Sequence, residues 1–588
     1  MNNSIPQKPS VWQRSPLIRF ARWLLSPRVL GRLLFLVATL ATIVGLFYAE
    51  ELWRGKHAWN KYTAAATAGG IRLDWDSFIP APVKDEENLA ATPALAPLFD
   101  FLPGTQQWRD TNASQKLFIL FRTFNEKAKA RGFDVEYGRQ ARWQLGEPMD
   151  LIALLGTNKT LRTTAPPTVT PLPEEMRKRY GLPDSPPEAI TPNPAPARPS
   201  FPPGPATQEE AARILLELVQ QTYGPLLDEL SDASQRPRAR FNIQYNTAPI
   251  YAILLPHLAY LKSCAQALSR RAQAQLALDQ ASGAMDDIQL GFHLADTLNA
   301  EPFLISQLVH IASKMILMSP LWHGFARHAW TESQLQQLQA RLENGNIVAD
   351  LNRALHGERA SGVRIIDQIL YRTGGVSLGN LGSTDGSDTM GEVVQMIMPS
   401  GWFYLEKLNL SSAYDRCLEP LKEWLDGKTA TQPALQQLRK LGKNPLGDEN
   451  GDWSTQSGFE KLWRHQIMVS MLFPAVDRAF EKALNAQMHL LLVQQACALE
   501  RHLLTTGQYP EKLENMVPKF IAKLPLDPMS GKPFVYRRQA QDAYLLYSIG
   551  FDFQDDGGTV GLTAKGVIDP LTKDLVWRIP SRQGSVQK

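Results

Sequence analysis

Between Leu33 and Ala49 the chain runs LLFLVATLATIVGLFYA, seventeen residues without a charge, and no other feature constrains its fold as strongly. Seventeen helical residues is the lower end of what crosses a hydrocarbon layer about 30 Å thick. Six cations precede the stretch (Lys8, Arg14, Arg19, Arg22, Arg28 and Arg32) with no acid among residues 1–32, while Glu50 and Glu51 follow it directly. Cations hold their flank in the cytoplasm. A single-pass helix is therefore expected, with the N-terminus inside and everything after about residue 50 outside. Arg32 can snorkel at one end, and Tyr48 and Trp53 suit the opposite interface. A cleaved signal peptide is the competing reading, but a cut after Ala49 places bulky Phe47 where a small residue is needed. A buried helix of a soluble core is the third, and the one-sided arginines argue against it. Upstream, Trp12 to Leu25 (WQRSPLIRFARWLL) mixes aromatics, leucines and arginines. It reads either as a helix lying on the anionic inner leaflet or as a solvated tail.

The 588 residues carry a formal net charge of +4, and the six N-terminal cations account for the excess. The main body is close to neutral, which argues against a nucleic-acid-binding surface. Cys264, Cys417 and Cys497 lie too far apart for a zinc site or a disulfide framework. They read as buried thiols in helices, with one disulfide open as an alternative.

Beyond the apolar stretch, Glu50 to about Ala68 keeps a helical pattern, and Ile79-Pro80-Ala81-Pro82-Val83 breaks it into an extended linker. Residues 165–205 hold fourteen prolines in forty-one positions, a composition suited to a polyproline-like spacer. The expected organisation is a basic segment (1–32), a membrane helix (33–49), a juxtamembrane helical region (50–164), the proline-rich linker (165–205), an α-helical domain (206–480) and a C-terminal module (481–588). Thr207 with Glu210 three residues on marks the start of the helical domain as a capping box. Helices are expected at 114–131, 251–278 (kinked at Pro256), 284–298, 303–318, 331–343, 347–370, 392–425 and 466–504, with a glycine-rich loop at 374–391. Ala272, Ala277, Gly283, Ala284 and Ala295 let paired helices approach closely, like one unit of a tetratricopeptide-like hairpin. The fold class is mainly α, ending in a small α+β module.

Catalytic patterns are sparse. Gly375-Val376-Ser377-Leu378-Gly379 matches the G-x-S-x-G of a nucleophile elbow, but that motif needs a strand before the serine and a helix is expected there. His356, Glu358 and Arg359 form a polar group on one helix, which reads first as a salt-bridged face. No HExxH, Walker loop or dinucleotide fingerprint is present.

The stretch from Ala498 to Gly558 is the most informative. Gly507-Gln508-Tyr509-Pro510 ends a long helix, and a short helix is expected at 511–517. Asp527-Pro528 and Gly531-Lys532-Pro533-Phe534 follow, then two antiparallel strands at 534–537 and 543–548, and Tyr547-Ser548-Ile549-Gly550-Phe551-Asp552 closes the series. In order and spacing these segments resemble the globular domain of the type II secretion major pseudopilin, over about ninety residues. The whole chain also resembles a broad group of uncharacterised bacterial membrane-anchored proteins. A pseudopilin carries its hydrophobic helix at the extreme N-terminus, whereas the corresponding helix here, around 484–504, is internal. The resemblance implies the fold rather than assembly into a fibre. It also implies calcium at the loop after the second strand, where Asp552, Asp555 and Asp556 supply hard oxygen donors. The expected function is a non-catalytic scaffold or interaction protein of the bacterial inner membrane and periplasm, linked to secretion or surface assembly, with protein partners. The alternatives are an envelope hydrolase using Ser377 or the His356–Glu358 region, and a small-ligand or glycan-binding module in the helical domain.

Overall fold

A computed structural model describes residues 16–133, 135, 142–156, 204–247, 249–343, 345–382, 389–447 and 456–581. The proline-rich stretch lies outside them up to residue 203, as do Trp12 to Ser15 of the amphipathic segment. The main helices are α1 (Pro16–Leu24), α2 (Pro27–Ala68), α3 (Gln208–Ala233), α4 (Pro256–Ala277), α5 (Ala281–Asp296), α6 (Leu304–Ala326), α7 (Glu332–Glu343), α8 (Ile347–Leu370), α9 (Ser400–Leu425), α10 (Thr431–Lys443) and α11 (Val476–Thr506). The strands are β1 (Val535–Ala540), β2 (Ala543–Ser548), β3 (Val560–Leu562), β4 (Ile568–Lys573) and β5 (Leu575–Ile579).

The uncharged stretch and the segment after it form one continuous helix, α2, with Pro27 at its start, where proline's missing N–H costs nothing. Its first half is exposed and long and apolar enough to cross a membrane. α6 passes the same test of length and composition, but two-thirds of its apolar window is buried, which makes it a core helix. The second half of α2 buries Glu51, Gly55, Trp59 and Ala66 against α9. Gly55 and Gly401 meet at this crossing, where a Cβ on either would overlap the backbone of the other helix. Trp402 Nε1 donates to Glu51 Oε2 at 3.0 Å, and Arg54 Nη2 donates to Glu51 Oε1 at 2.6 Å. One turn back, the Tyr48 hydroxyl donates to the Ile397 carbonyl. Further along, Tyr62 donates to Asp415 at 2.6 Å, and Arg359 pairs with the same carboxylate at 2.7 Å.

Within the helical body, α4 and α5 form an antiparallel hairpin on which α6 packs. Gly291 on α5 admits Leu317 of α6 into a space that a Cβ would take. Thr207 caps α3, its Oγ1 accepting from Glu210 N at 3.1 Å, as the capping signature predicts. α11 is buried on nearly every face along its middle, as a helix must be when α6, α7, α8, α10 and the sheet all pack on it. It ends at Gly507, whose φ of 79° gives the left-handed cap that glycine adopts freely.

The C-terminal sheet is antiparallel in the order β1-β2-β5, with β3 and β4 as a separate pair. β2 is buried along its whole length. Its Tyr544 and Trp577 of the neighbouring β5 join the core of the helical body, and Trp322 Nε1 on α6 donates to the Arg578 carbonyl at 2.8 Å.

Several expected boundaries move, mostly at proline. Pro256 opens α4 instead of kinking it, and Pro399 separates the helix Thr389–Ile397 from α9. Pro474 splits the expected 466–504 helix into Ile467–Leu472 and α11. Proline removes a backbone donor and biases its predecessor to extended geometry, so each ends or begins a helix. The 114–131 helix breaks at Ile119 into Thr111–Phe118 and Leu120–Ala130. The 511–517 segment is a 3₁₀ turn, Leu513–Met516. In the expected glycine-rich loop, Leu378–Gly382 is helical, its start fixed by Gln395 accepting from Leu378 N at 2.9 Å. The segment after Pro80–Pro82 is no free linker. It carries the 3₁₀ turn Leu89–Ala91 and joins residue 238 through Leu89 N donating to the Arg238 carbonyl at 2.8 Å, and Leu89, Leu95 and Leu98 are fully buried.

The α2–α9 crossing should tolerate no side chain. Gly401→Leu is expected to cost about 1–3 kcal/mol or more through overpacking, and Gly45→Leu, at a position with open space around it, should cost little. Chemical unfolding of both variants checks this, and equal midpoints would remove the crossing as a packing determinant.

Candidate functional site

Three buried ionic groups close on themselves. His257 Nε2 lies 2.7 Å from Glu301, which also accepts from Ser306. Glu500 accepts from Tyr509 at 2.6 Å and meets His328 Nδ1 at 2.8 Å. Asp296 meets Lys314 at 2.8 Å and Arg341 at 2.7 Å, with His310 at 3.5 Å. Burial alone would raise the Asp296 carboxyl, but His310, Lys314 and Arg341 outweigh it and hold the group well below the usual carboxylate range. These groups pin helices to one another. The His257, Glu301 and Ser306 set is fully buried, and the serine bonds the carboxylate rather than the imidazole, which is not a nucleophile's arrangement.

A cavity of about 550 Å³ opens between α4, α6 and α11, with the 3₁₀ turn Trp143–Leu145 and strand β4 completing its wall. That volume lies within the range of small-molecule sites. α4 contributes Lys262, Gln266, Ser269, Arg270 and Gln273 from one face, at the spacing that one side of a helix repeats. α11 contributes Asn485 and His489, one turn apart, and α6 contributes Met315, Ile316 and Ser319. Lys262 is exposed at the mouth, while Ser269, Arg270 and Gln273 are buried. Among the described residues that line it there is no Asp or Glu.

Hydrogen bonds hold this lining in place. Gln273 Nε2 donates to Ser319 Oγ at 3.1 Å, and Ser269 Oγ donates to the Ile316 carbonyl at 3.1 Å. His489 Nδ1 lies 2.7 Å from the Asn485 carbonyl and so carries the proton there. Its Nε2 is left to accept from Gln144 Nε2 at 3.2 Å. Trp143 packs edge-on against the imidazole at 5.4 Å. Burial pushes the His489 imidazole down to about 4, so it is neutral at physiological pH. The Arg270 guanidinium lies over the Phe124 ring at 5.2 Å. The Asn485 side-chain oxygen is buried and accepts no hydrogen bond among the described residues. The described lining is thus polar and carries cationic side chains, with several of its N–H and O–H groups already engaged within it. A second cleft contains Arg238, Arg240, Arg341 and Arg353, but Glu87, Asp296 and Asp350 already pair with three of them and the Pro80 carbonyl accepts from the fourth.

The residues expected to bind calcium sit in the turn between β2 and β3. Asp552 accepts from Gln554 N and from Lys573 N, each at 3.1 Å. Asp555 accepts from the Tyr547 hydroxyl at 2.8 Å and from Gly557 N at 2.9 Å. Asp556 keeps one buried oxygen, Oδ2, without a hydrogen bond. Asp574, which the sequence reading passed over, organises the turn by accepting from Gly558 N at 2.7 Å and Thr559 N at 3.2 Å. Among the described residues no group of three or more His, Cys, Asp or Glu side chains is placed to hold a metal ion.

Ser377 begins the short helix Leu378–Gly382 and follows α8 through a loop, so no strand presents it. His356 accepts from Arg359 Nη2 at 2.9 Å, and Glu358 accepts from Leu304 N at 2.7 Å. Burial first, and then Arg359, push the His356 imidazole down to about 4. This trio is a buried clamp whose arginine reaches Asp415, the partner of Tyr62 on α2. All three cysteines are free and buried, and burial pushes the Cys264 and Cys417 thiols up to about 12.

No protein-family model matches the chain, and neither does any curated protein or solved structure.

His489 and His323, also pushed down by burial to about 4, bind protons more readily unfolded than folded. The stability they contribute is full above about pH 6.5, their ordinary value, and is lost as pH falls through about 4. The His489→Gln variant should therefore lose less stability than the parent between pH 7 and pH 5 in urea unfolding. Parallel losses in the two proteins would contradict a neutral, buried His489.

Proposed function

We propose that this protein is a membrane-anchored, non-catalytic binding protein of the bacterial cell envelope that holds a small anionic ligand in the cavity between the helical body and the C-terminal module. One observation carries the reading: Lys262 and a set of amide and hydroxyl groups line a cavity that has no carboxylate among its described lining residues. Such a lining favours a carboxylate- or phosphate-bearing molecule held at Lys262, with amide groups around it that can both donate and accept. Lys262 at the mouth supplies a mobile cation. The neutral His489 shapes the wall and does not act as a base, since its Nε2 is taken by Gln144 and its proton by a backbone carbonyl. The six cations before the apolar half of α2 support an N-terminus in the cytoplasm and a cavity that faces the periplasm.

A calorimetric screen of the full chain in nanodiscs with di- and tricarboxylates, sugar phosphates and uronates tests this. At least one anion should bind, and Lys262→Met should weaken it about tenfold, or about 1.4 kcal/mol, without moving the melting temperature. Binding of neutral sugars alone, or of nothing in the screen, rejects the reading. Calcium at the turn holding Asp552, Asp555 and Asp556 is a second reading, favoured by the unpartnered Asp556 Oδ2. Titration with calcium chloride should then release heat that Asp556→Asn abolishes, and a flat trace disposes of it.

A further inference from the structure

Where α2 leaves its uncharged half, two short helices expose apolar side chains that none of the described residues covers. On Thr389–Ile397, Val393, Met396 and Ile397 lie at helical spacing and are 52%, 71% and 62% exposed. On Gly458–Trp463, Phe459 and Trp463, one turn apart, are 76% and 63% exposed. Scattered apolar exposure is ordinary, but contiguous groups of this kind mark a contact surface.

Their height along α2 is set by contacts. The Tyr48 hydroxyl donates to the carbonyl of Ile397 itself, which places the end of the first helix level with the end of the uncharged stretch. The Glu51 carboxylate accepts from Trp402, and the Trp402 ring meets Trp463 edge-on at 6.0 Å. The second helix is thereby placed within one turn of the first. Trp53, 69% exposed on α2, lies at the same level. Both helices are firmly mounted. Glu406 on α9 accepts from Ile467 N at 3.0 Å and Met468 N at 2.9 Å, and Asn409 donates to the carbonyls of Arg464 and His465 at 3.1 and 2.7 Å. Glu460 on the second helix pairs with Arg464 just beyond its end at 3.4 Å. Gln395 holds the first helix by donating to the Ile369 carbonyl at 3.1 Å.

We infer that these two helices form an apolar collar that enters the outer-leaflet interface of the bilayer around the exit of α2, so that the body is seated on the membrane rather than suspended above it. The inference rests on α2 spanning the bilayer. The occupant is lipid because the collar continues, at one depth, the surface that the uncharged half of α2 presents to the hydrocarbon. Aromatic side chains with a polar edge, such as Trp463 and Trp53, favour the headgroup boundary. Short apolar helix faces bury to about 5–10 Å in that zone.

Spin labels on the full chain in liposomes distinguish the outcomes. Single cysteines replace Met396, Phe459, Ile43 on the uncharged half of α2, and Leu526. The last is exposed and lies near Pro528, whose carbonyl meets Thr431 beyond the far end of α9. The native cysteines are buried and stay unlabelled. The ratio of oxygen to nickel-chelate accessibility should be several-fold higher at Ile43, Met396 and Phe459 than at Leu526. A high ratio at Ile43 with Met396 and Phe459 matching Leu526 overturns the collar and leaves the anchor standing. A low ratio at Ile43 overturns the anchor and the collar with it. Because the labels sit on exposed side chains, folding of the variants is checked by an unchanged melting temperature.

Discussion

The contact between Gly55 and Gly401 governs how the rest of the molecule is placed. Two helices can approach this closely only where both lack a Cβ, and the approach brings the Glu51 carboxylate within reach of the Trp402 indole. A buried carboxylate is costly unless its lone pairs are used, and here Trp402 and Arg54 use them. From that point α2 and α9 run side by side in the same direction. Lys407 lies over the Trp59 ring at 4.7 Å, and Tyr62 reaches Asp415. At 1.5 Å per residue the shared length from Glu51 to Tyr62 is about 16 Å. A packed and hydrogen-bonded interface of that length makes α2 part of the core and not a tether.

The second organising element is α11. A helix apolar on all sides can be covered only from all sides, and the polar residues along it then need partners supplied by its neighbours. Gln487 accepts from the backbone N–H of Ile347, and Glu500 is satisfied by Tyr509 and His328. Asn485 and His489 are the turn of α11 at which the covering layer is polar, because α4 presents its stripe of glutamine, serine and arginine there. The cavity exists where packing gives way to hydrogen bonding. Had Gln266 and Gln273 been leucines, the same helices could have closed on one another.

Much of this architecture is written locally in the chain. The capping pair Thr207 and Glu210, the proline at the start of α2, the glycine after Thr506 and the short run Ala543–Ser548 each act over a few residues, so pattern and structure agree there. The misplaced boundaries at Pro399 and Pro474 came from reading hydrophobic period through a proline that breaks it. The cavity was partly visible as well. Lys262, Gln266, Ser269 and Gln273 recur at one spacing along a helix that is buried on most sides. What the period could not show is that Asn485, more than two hundred residues later, faces the same space. Glu51 illustrates the same limit: beside a membrane helix it reads as a solvated charge, and only the distant Trp402 makes it a buried anchor point. Asp574 organises its turn through backbone N–H groups, and such bonds leave no mark in side-chain patterns.

These elements bear on how a ligand would be met. A binding domain on a long flexible stalk samples many heights and orientations above a bilayer. Here the helix that is long and apolar enough to cross a membrane also packs into the body, and three separated contacts, Tyr48 with Ile397, Glu51 with Trp402, and Tyr62 with Asp415, hold it against rotation and tilt. A body fixed in this way holds its cavity at one height and one angle relative to α2. On the proposed reading, Lys262 at the rim would be the group that first attracts an anion. The rigid joint thus links the two features that seem least related in the sequence, an uncharged stretch near the N-terminus and a polar stripe on a helix two hundred residues away.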